Sequence, residues 1–257
     1  MSHERVVREE FARQADAMAS SPAFTSEEVI GRFRETLGSR TRGRVLDLAC
    51  GPGILSAALA PQARLMVGVD ITPEMLGMAR ARCRTAGLTN ARFLQAPAEA
   101  LPFAPATFAC VVTRLSIHHL QAPHRVLREV HRVLKPDGRL VLADVVSSAD
   151  RSESELHNAL EHLRDPSHVR MLSAADLTQA VTEAGFAVVS VTQWQQQRRF
   201  DEWAAIVQSA RSLDALEVVM RALARAEVTA GIDLRLSGES LEFVHSWLLI
   251  AARPEGR

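Results

Sequence analysis

Two aspartates and two glycines in the first third of the chain have the spacing of a nucleoside-binding site. Asp47 lies in an apolar run that leads into Gly51 and Gly53, and a second apolar run ends at Asp70. Glycine has no Cβ, so this turn can adopt positive φ and lie close to a ligand, and the N–H groups that open the next helix point into the same space. A carboxylate about 20 residues after such a loop can accept hydrogen bonds from a ribose diol. These residues therefore predict a nucleoside pocket.

Ser56 and Asp47 indicate which kind of nucleoside is bound. A dinucleotide fingerprint has Gly or Ala three residues after its second glycine, whereas this chain has Ser56 at that place. Asp47 stands just before the loop, where an acid suits a cationic ligand better than a pyrophosphate. The pocket is therefore predicted to prefer a cationic ligand to a dinucleotide such as NAD.

Several ordered motifs give the sequence a family resemblance. They are the glycine loop, Asp70, the segment Leu101–Phe103 and the segment Arg114–Leu120. Over roughly residues 40 to 190 the chain resembles the class I S-adenosylmethionine-dependent methyltransferases, most closely the ubiquinone/menaquinone-biosynthesis type (methyltransferase type 11) and its small-molecule relatives. The resemblance implies transfer of a methyl group from S-adenosyl-L-methionine to carbon, oxygen or nitrogen of a small-molecule acceptor in biosynthetic or secondary metabolism. The product of the cofactor would be S-adenosyl-L-homocysteine.

The resemblance also implies the residues of the cofactor site. Asp70 would accept the ribose hydroxyls, and Ile71 and Met75 would flank the adenine, although packing in the core is an equal alternative for these two. The backbone N–H of Ala98 would meet the ring. The predicted cofactor-binding residues are Met18, Asp47, Ala49, Gly51, Gly53, Asp70, Ile71, Met75, Pro97, Ala98, Glu99, Thr113 and His118.

Three positions depart from the pattern of the family. Met18 replaces a tyrosine, Pro97 replaces the acid that recognises the adenine amine, and Ala109 replaces an aspartate. The contact of the missing acid is either lost or taken over by Glu99. These departures keep a second function open, namely an S-adenosylmethionine-binding protein of the same fold with an altered, non-methylating or regulatory role.

Two adjacent histidines follow the fourth predicted strand. Methyl transfer requires alignment of donor and acceptor, exclusion of water and, for a weak nucleophile, removal of a proton. Imidazole titrates near neutrality, so His118 and His119 are the candidate bases, with Asp144 at a neighbouring strand end as a possible partner. Such a base predicts a rate that rises through a pKa of about 6 to 7. Alternatively, one histidine orders the loop and contacts the cofactor, and the other is part of the buried structure.

Four further polar residues near these histidines have other predicted roles. His124 and His131 extend the local cluster, but no acid or cysteine lies at ligand spacing, so no metal site is predicted. His168 and Arg170 either reach the acceptor or, as the favoured interpretation, lie in a solvated loop.

The amino-acid composition limits the kinds of molecule that the protein is expected to bind and the compartment in which it is expected to lie. The chain of 257 residues has 30 Lys and Arg against 30 Asp and Glu, without a basic block, and it lacks the Asn/Asp-Pro-Pro-aromatic motif of enzymes that flip a base. The three cysteines form no C-x-x-C pair, which argues against disulfides and zinc. No apolar stretch has the length of a membrane span or the form of an export signal. We therefore predict a cytoplasmic monomer or homodimer that binds no nucleic acid.

The alternation of strand and helix patterns predicts the fold class. We expect an α/β fold with a doubly wound, seven-stranded Rossmann-like sheet, mostly parallel with an antiparallel last strand, plus helical lid and cap segments. The predicted strands cover residues 44–48, 65–70, 91–94, 107–113, 139–146, 186–194 and 241–252.

The expected organisation is a single methyltransferase domain over residues 1–257. It divides into an N-terminal helical lid at 1–40, a cofactor-binding core at 41–146, a cap insertion and helix at 147–185, and the last strands at 186–257 with a helical insertion at 198–230. Ser152–Glu155 has the form of a capping box. The helix that it opens is expected to cover the acceptor.

Overall fold

A computed structural model describes residues 2–207 and 213–256, apart from the side chains of Pro22 and Ala23. The described residues form eight strands. These are β1 (Arg44–Leu48), β2 (Leu65–Asp70), β3 (Ala91–Gln95), β4 (Phe108–Arg114), β5 (Leu134–Val146), β6 (Phe186–Arg199), β7 (Arg235–Ser237) and β8 (Ser240–Pro254).

The strands form one twisted sheet whose order is β3-β2-β1-β4-β5-β8-β6. Neighbouring strands from β3 to β5 are parallel, and β8 runs antiparallel to both β5 and β6. The predicted doubly wound sheet with an antiparallel last strand is therefore confirmed. The structure adds an eighth strand, because β7 forms a short hairpin with the start of β8 around Gly238, whose φ is +60°.

Ten α-helices accompany the strands in the described part of the chain. They are α1 (His3–Ser20), α2 (Pro22–Thr25), α3 (Glu27–Leu37), α4 (Ile54–Leu59), α5 (Pro73–Thr85), α6 (Pro123–Val133), α7 (Arg151–Arg164), α8 (Ala174–Glu183), α9 (Phe200–Ile206) and α10 (Asp214–Arg225). Within residues 2–207 and 213–256, no helix combines the length and apolar character needed to cross a membrane.

The sheet is buried on both faces because successive side chains of its strands point to opposite sides. On one face Leu46 and Leu140 belong to the same core cluster as the apolar residues of α6 and α8. On the other face Val45 and Val141 pack with α3 and α4. Removal of these side chains from water on both faces holds the carboxyl ends of the parallel strands in fixed positions.

Two helix starts differ from the sequence prediction. Asp150, and not Ser152, caps α7, since its Oδ1 accepts hydrogen bonds from the N–H groups of Ser152 and Glu153 at 2.9 and 3.0 Å. At the start of α5, the Thr72 hydroxyl makes no capping bond. Instead Asp70 Oδ1 accepts the Thr72 N–H at 2.9 Å, so a residue of the predicted cofactor site performs the local capping.

A small aromatic cluster lies next to the carboxyl end of β4. Trp194 and Trp247 stack with ring centroids 5.4 Å apart and an interplanar angle of 18°. Val145, Met171 and Leu115 pack in the same cluster. This cluster therefore connects the sheet to the loop that follows β4.

Candidate active site

A cavity of about 420 Å³ opens at the carboxyl ends of β1, β2 and β4. It lies beside the junction of β1 and β4, where the strand order reverses, which is the usual ligand position in a doubly wound sheet. Its volume is in the range of small-molecule sites. Helix α1 forms part of its wall through His3, Val7, Phe11 and Met18.

Most of the predicted cofactor residues meet at this cavity. Those that line it are Met18, Asp47, Ala49, Gly51, Asp70, Ile71, Met75, Pro97, Ala98 and Glu99. The structure thus brings together residues from α1, the glycine loop, the end of β2 and the segment after β3.

Asp70 is held at the cavity edge by two backbone groups. Its Oδ2 accepts the Gly51 N–H at 2.8 Å and its Oδ1 accepts the Thr72 N–H at 2.9 Å. Burial raises the pKa of Asp70, although these hydrogen bonds oppose the shift. Each carboxylate oxygen has two lone pairs, so both can still accept a hydrogen bond from a ligand.

Asp47 lies at the bottom of the same cavity and is only 2% exposed. Its Oδ2 accepts a 2.6 Å hydrogen bond from Ser56 Oγ, which gives the unusual serine of the loop a physical role. Burial raises the pKa of Asp47 to about 7, against the opposing effects of the Ser56 hydrogen bond and the charge of Arg114. The carboxylate is therefore positioned to gain from a cationic ligand.

Gly53 and Thr113, which are also predicted to bind the cofactor, do not line the cavity. Gly53 has a φ of +75°, and a Cβ at this residue would lie 2.7 Å from Ala79 Cβ, so glycine is required for packing of the loop on α5. Thr113 Oγ1 donates to the Leu48 carbonyl at 2.8 Å and ties β4 to β1. Both residues therefore hold in place the backbone that carries the cavity residues, without facing the cavity themselves.

His118 and Asp144 form a buried pair that does not line the cavity, as in the alternative in which one histidine orders the loop. The distance between His118 Nδ1 and Asp144 Oδ1 is 2.5 Å, and neither residue lines the cavity. Asp144 also accepts the N–H groups of Ile117, His118 and Val145 at 2.8, 3.3 and 2.8 Å. Burial alone would lower the pKa of His118, but the charge and hydrogen bond of Asp144 outweigh it and raise this pKa. The pair anchors the loop after β4.

His119, by contrast, lines the cavity. Its Nδ1 lies 3.0 Å from the carbonyl oxygen of Ser167, which can only accept, so Nδ1 carries the proton and Nε2 is the unprotonated nitrogen. Burial, and then the charge of His118, lower the pKa of His119 to about 4. His119 is therefore neutral at physiological pH and does not fit a base that titrates at about 6 to 7.

The segment after α7 is buried at Asp165, Ser167 and His168, whereas Arg170 is exposed to solvent. Asp165 Oδ1 accepts the N–H and the hydroxyl of Ser167, and its Oδ2 accepts Gln14 Nε2 at 3.1 Å. His168 Nε2 lies 2.8 Å from Asn158 Oδ1. The His118 carbonyl accepts the N–H groups of residues 169 and 170. This segment therefore fixes both histidines and α1.

The two segments that are expected to cover the site differ in their relation to the cavity. None of the described residues between 147 and 185 lines the cavity, whereas five residues of α1 do. The helix α7 packs behind the histidine loop because its following segment is bound to that loop by the contacts of Asp165 and His168. The cover of this cavity comes from the N-terminal helix.

Arg114 and Leu115 are site residues that the sequence prediction missed. Arg114 lines the cavity, and its Nη1 is buried without a hydrogen-bond partner in the described part of the chain. Burial lowers the pKa of Arg114 to about 10, and the charge of Asp47 opposes this. Leu115 and Ala49 have φ values of +55° and +51°, which are strained for residues with a Cβ. The sequence could have identified Arg114 as a site residue, because it is a charged residue at the end of an apolar strand.

The predicted cluster of His124 and His131 with the histidine pair does not form. His124 is exposed, and His131 packs against Phe186 with ring centroids 5.2 Å apart. His168 joins the pair instead, at 5.7 Å from the ring of His118.

Known proteins share both the sequence and the fold of this chain. A family described as a methyltransferase domain matches residues 46–142. The uncharacterized methyltransferase YcgJ of Bacillus subtilis is 34% identical over 193 residues, which cover 75% of this chain and 76% of that protein. The crystal structure of YcgJ superposes with a TM-score of 0.82 and 30% identity, over 90% of this chain and 99% of that one. The ubiquinone/menaquinone biosynthesis C-methyltransferase UbiE of Klebsiella pneumoniae is 36% identical over 139 residues, 52% of this chain and 55% of UbiE.

Proposed function

We propose that this chain, which belongs to the class I S-adenosylmethionine-dependent methyltransferase family, transfers a methyl group from S-adenosylmethionine to a small-molecule acceptor. The family membership makes the chain a methyltransferase. The observation that carries the class of acceptor is the position of α1 across the cavity.

Helix α1 is tied down at both ends and in its middle. His3 Nε2 donates to the His119 carbonyl at 2.8 Å, and Gln14 Nε2 donates to Asp165 Oδ2 at 3.1 Å. Arg82 Nη2 donates to the Ala19 carbonyl at 2.8 Å. A polymeric acceptor would have to break these contacts to reach the cavity, whereas a small molecule can be enclosed by them and kept from water.

The residues of the cavity fit S-adenosylmethionine. Asp70 keeps free lone pairs for the ribose diol, and Asp47 offers a buried carboxylate to a cationic amino-acid group. The segment Pro97–Glu99 would form the wall beside the adenine. The bound cofactor would supply the electrophilic methyl group. The unpaired Nη1 of Arg114 is suited to a carboxylate, either on the cofactor or on the acceptor.

His119 is our candidate base where the acceptor must lose a proton. It is neutral, it lines the cavity, and its Nδ1–H is fixed on the Ser167 carbonyl, so Nε2 can accept a proton. His118 and Asp144 act as positioning residues, because they hold the turn that carries His119. An amine or thiolate acceptor would require alignment alone.

The cysteines support a reducing cytoplasm as the location. All three, Cys50, Cys83 and Cys110, are free and buried. Burial raises the pKa of each thiol, so none has the thiolate character of a reactive or redox-active residue.

Incorporation of label tests the acceptor class. The protein is incubated with methyl-labelled S-adenosylmethionine and, separately, with a small-metabolite pool, with RNA and with denatured protein. We expect label only in the metabolite pool, where mass spectrometry then identifies the product, and less label with Asp70→Ala when the cofactor is limiting. Label in RNA or protein would contradict the small-molecule acceptor. Calorimetry that detects NAD binding but no S-adenosylhomocysteine binding would contradict the cofactor.

A further inference from the structure

Three buried ligand-type side chains meet outside the cavity. His157 and Glu161 lie one turn apart on α7, and His245 faces them from β8, with exposures of 2%, 2% and 7%. Glu161 Oε1 is 3.7 Å from His157 Nε2 and 3.2 Å from His245 Nε2. The three ligand atoms lie within 4.8 Å of one another. None of these residues lines the candidate active site.

The converging atoms lack other partners. Apart from the contacts of Glu161 Oε1 with the two imidazoles, Nδ1 and Nε2 of His157, Oε1 of Glu161 and Nε2 of His245 are buried without a hydrogen-bond partner among the described residues. Buried polar atoms without partners are costly and therefore rare in native proteins. Three of them, His157 Nε2, Glu161 Oε1 and His245 Nε2, lie close together, which indicates that these side chains share a partner that the described part of the chain does not provide.

The donor set matches a transition metal. Two histidines and a glutamate are a known ligand set for Zn²⁺, and ligands four residues apart project from the same face of a helix. The other oxygen of the carboxylate, Glu161 Oε2, accepts a 3.1 Å hydrogen bond from Arg164 Nε, and the Arg164 guanidinium stacks on Trp203 at 4.6 Å. This contact fixes the carboxylate with Oε1 directed at the two imidazoles, as outer contacts do in metal sites.

We propose that His157 Nε2, Glu161 Oε1 and His245 Nε2 bind a divalent transition-metal ion of the Zn²⁺ type, in a structural site separate from the methyl-transfer cavity. The ion would join α7 to β8 and so stabilise the segment that holds His119. The positive charges of the nearby Arg164 and Arg198 guanidinium groups repel a bound cation. The site therefore binds more weakly than a structural zinc site with four protein ligands.

Metal content of the full-length protein tests the proposal. The protein is stripped with a chelator, dialysed against Zn²⁺ and washed, and the bound zinc is measured by elemental analysis. We expect about one ion per chain for the wild type and for the control His124→Gln, which removes an exposed histidine, and less than about one tenth of that for His157→Gln and His245→Gln. Zn²⁺ should raise the midpoint of thermal unfolding of the wild type and the control but not of the two variants.

Co²⁺ substitution of the wild type gives a second readout that needs no variant. Four-coordinate nitrogen and oxygen ligation predicts intense visible ligand-field bands without a thiolate charge-transfer band. Failure of the wild type to retain zinc would overturn the proposal. Zinc retained equally by both histidine variants, or a thiolate band that places the metal on a cysteine, would overturn it as well. None of these results depends on methyl transfer, so they leave the proposed activity to its own test.

Discussion

The two sides of the cavity differ in how their carboxylates are used. On the side of β1 and β2, Asp47 accepts one side-chain hydrogen bond and Asp70 accepts two backbone hydrogen bonds, and both line the cavity. On the side of β4 and β5, Asp144 accepts four hydrogen bonds and Asp165 accepts three, all from the protein, and neither lines the cavity. The first pair is available to a ligand, whereas the second pair is used to build the structure.

An acid near the carboxyl end of a parallel strand is therefore not in itself a functional residue. Asp70 and Asp144 both lie in such places, yet only Asp70 faces the ligand space. Burial of Asp47 with a pKa raised to about 7 is unfavourable for the empty protein and becomes favourable when a cation arrives. Loss of an acid should therefore have a different effect on each side. On the side of β1 and β2 it should weaken ligand binding, and on the side of β4 and β5 it should lower the stability of the fold.

The largest effect is expected for Asp144→Ala. This substitution leaves the His118 side chain and three backbone N–H groups without their acceptor, so the free energy of unfolding should fall by about 3 to 5 kcal/mol. Urea unfolding measures the change. The control is Asp137→Ala, which removes an exposed carboxylate near the start of the same strand. A loss no greater than that of the control would mean that Asp144 is not structural.

A smaller effect is expected for His119→Ala, if the acceptor must lose a proton. Turnover at saturating cofactor should fall by about 10²-fold, or roughly 2.7 kcal/mol, while the affinity for S-adenosylhomocysteine changes little. The base works in its neutral form and has a pKa of about 4, so wild-type turnover should be level from neutral to weakly acidic pH and be lost as the pH falls toward 4. A turnover that instead titrates near neutrality would exclude His119 as the base.

Asp70→Ala tests ligand binding on the side of β1 and β2. Loss of charge-assisted hydrogen bonds to the ribose should weaken S-adenosylhomocysteine binding by about thirtyfold, or roughly 2 kcal/mol, as measured by calorimetry. The control is Glu74→Ala, an exposed acid in the first turn of α5. Equal affinities of the two variants would place the ribose elsewhere.

The smallest effect is a pH dependence that comes from Asp47. The carboxyl has a pKa of about 7 before binding and must be ionised to hold a cation, so affinity for S-adenosylhomocysteine should increase roughly fivefold between pH 6 and pH 7. Asp47→Asn should bind more weakly and without this dependence. An affinity of the wild type that is constant over this range would contradict the raised pKa.

The raised pKa of Asp47 should also make the stability of the ligand-free protein depend on pH. The pKa of Asp47 is higher in the folded than in the unfolded chain, so its contribution to stability is present below the unfolded value of about 4 and is lost as the pH rises through about 7. Asp47→Asn should therefore raise the free energy of unfolding of the ligand-free protein at pH 8, by about 1 to 3 kcal/mol. Urea unfolding is measured at pH 8 and below pH 4, and the difference between wild type and variant should be larger at pH 8.

Local patterns in the sequence were sufficient to predict seven of the eight strands and the positions of the glycine loop and Asp70. Each of these features depends on residues that are close together in the sequence, such as an apolar run or two glycines. The predicted strand 65–70 matches the observed one for this reason. The roles of His118 and His119 could not be predicted in this way, because they are neighbours on one 3-10 turn. Their partners, Asp144 and Ser167, come from distant parts of the chain, and only the tertiary structure decides which ring is used by which partner.

The metal-type cluster was missed for the same physical reason. His157 and Glu161 have the helical spacing of two ligands, but the third, His245, lies on the last strand. No single segment of the sequence contains all three ligands, because the third is brought to α7 only by the tertiary fold.

The stacked tryptophans beside the cavity give the protein an intrinsic optical probe. The chain has three tryptophans and no tyrosine, so its ultraviolet emission comes from very few positions. The pair Trp194 and Trp247, with centroids 5.4 Å apart, is close enough for exciton coupling in circular dichroism. Leu115 touches this pair's cluster and also lines the cavity. A change in packing around a bound ligand is thereby transmitted to chromophores that report it without any attached dye.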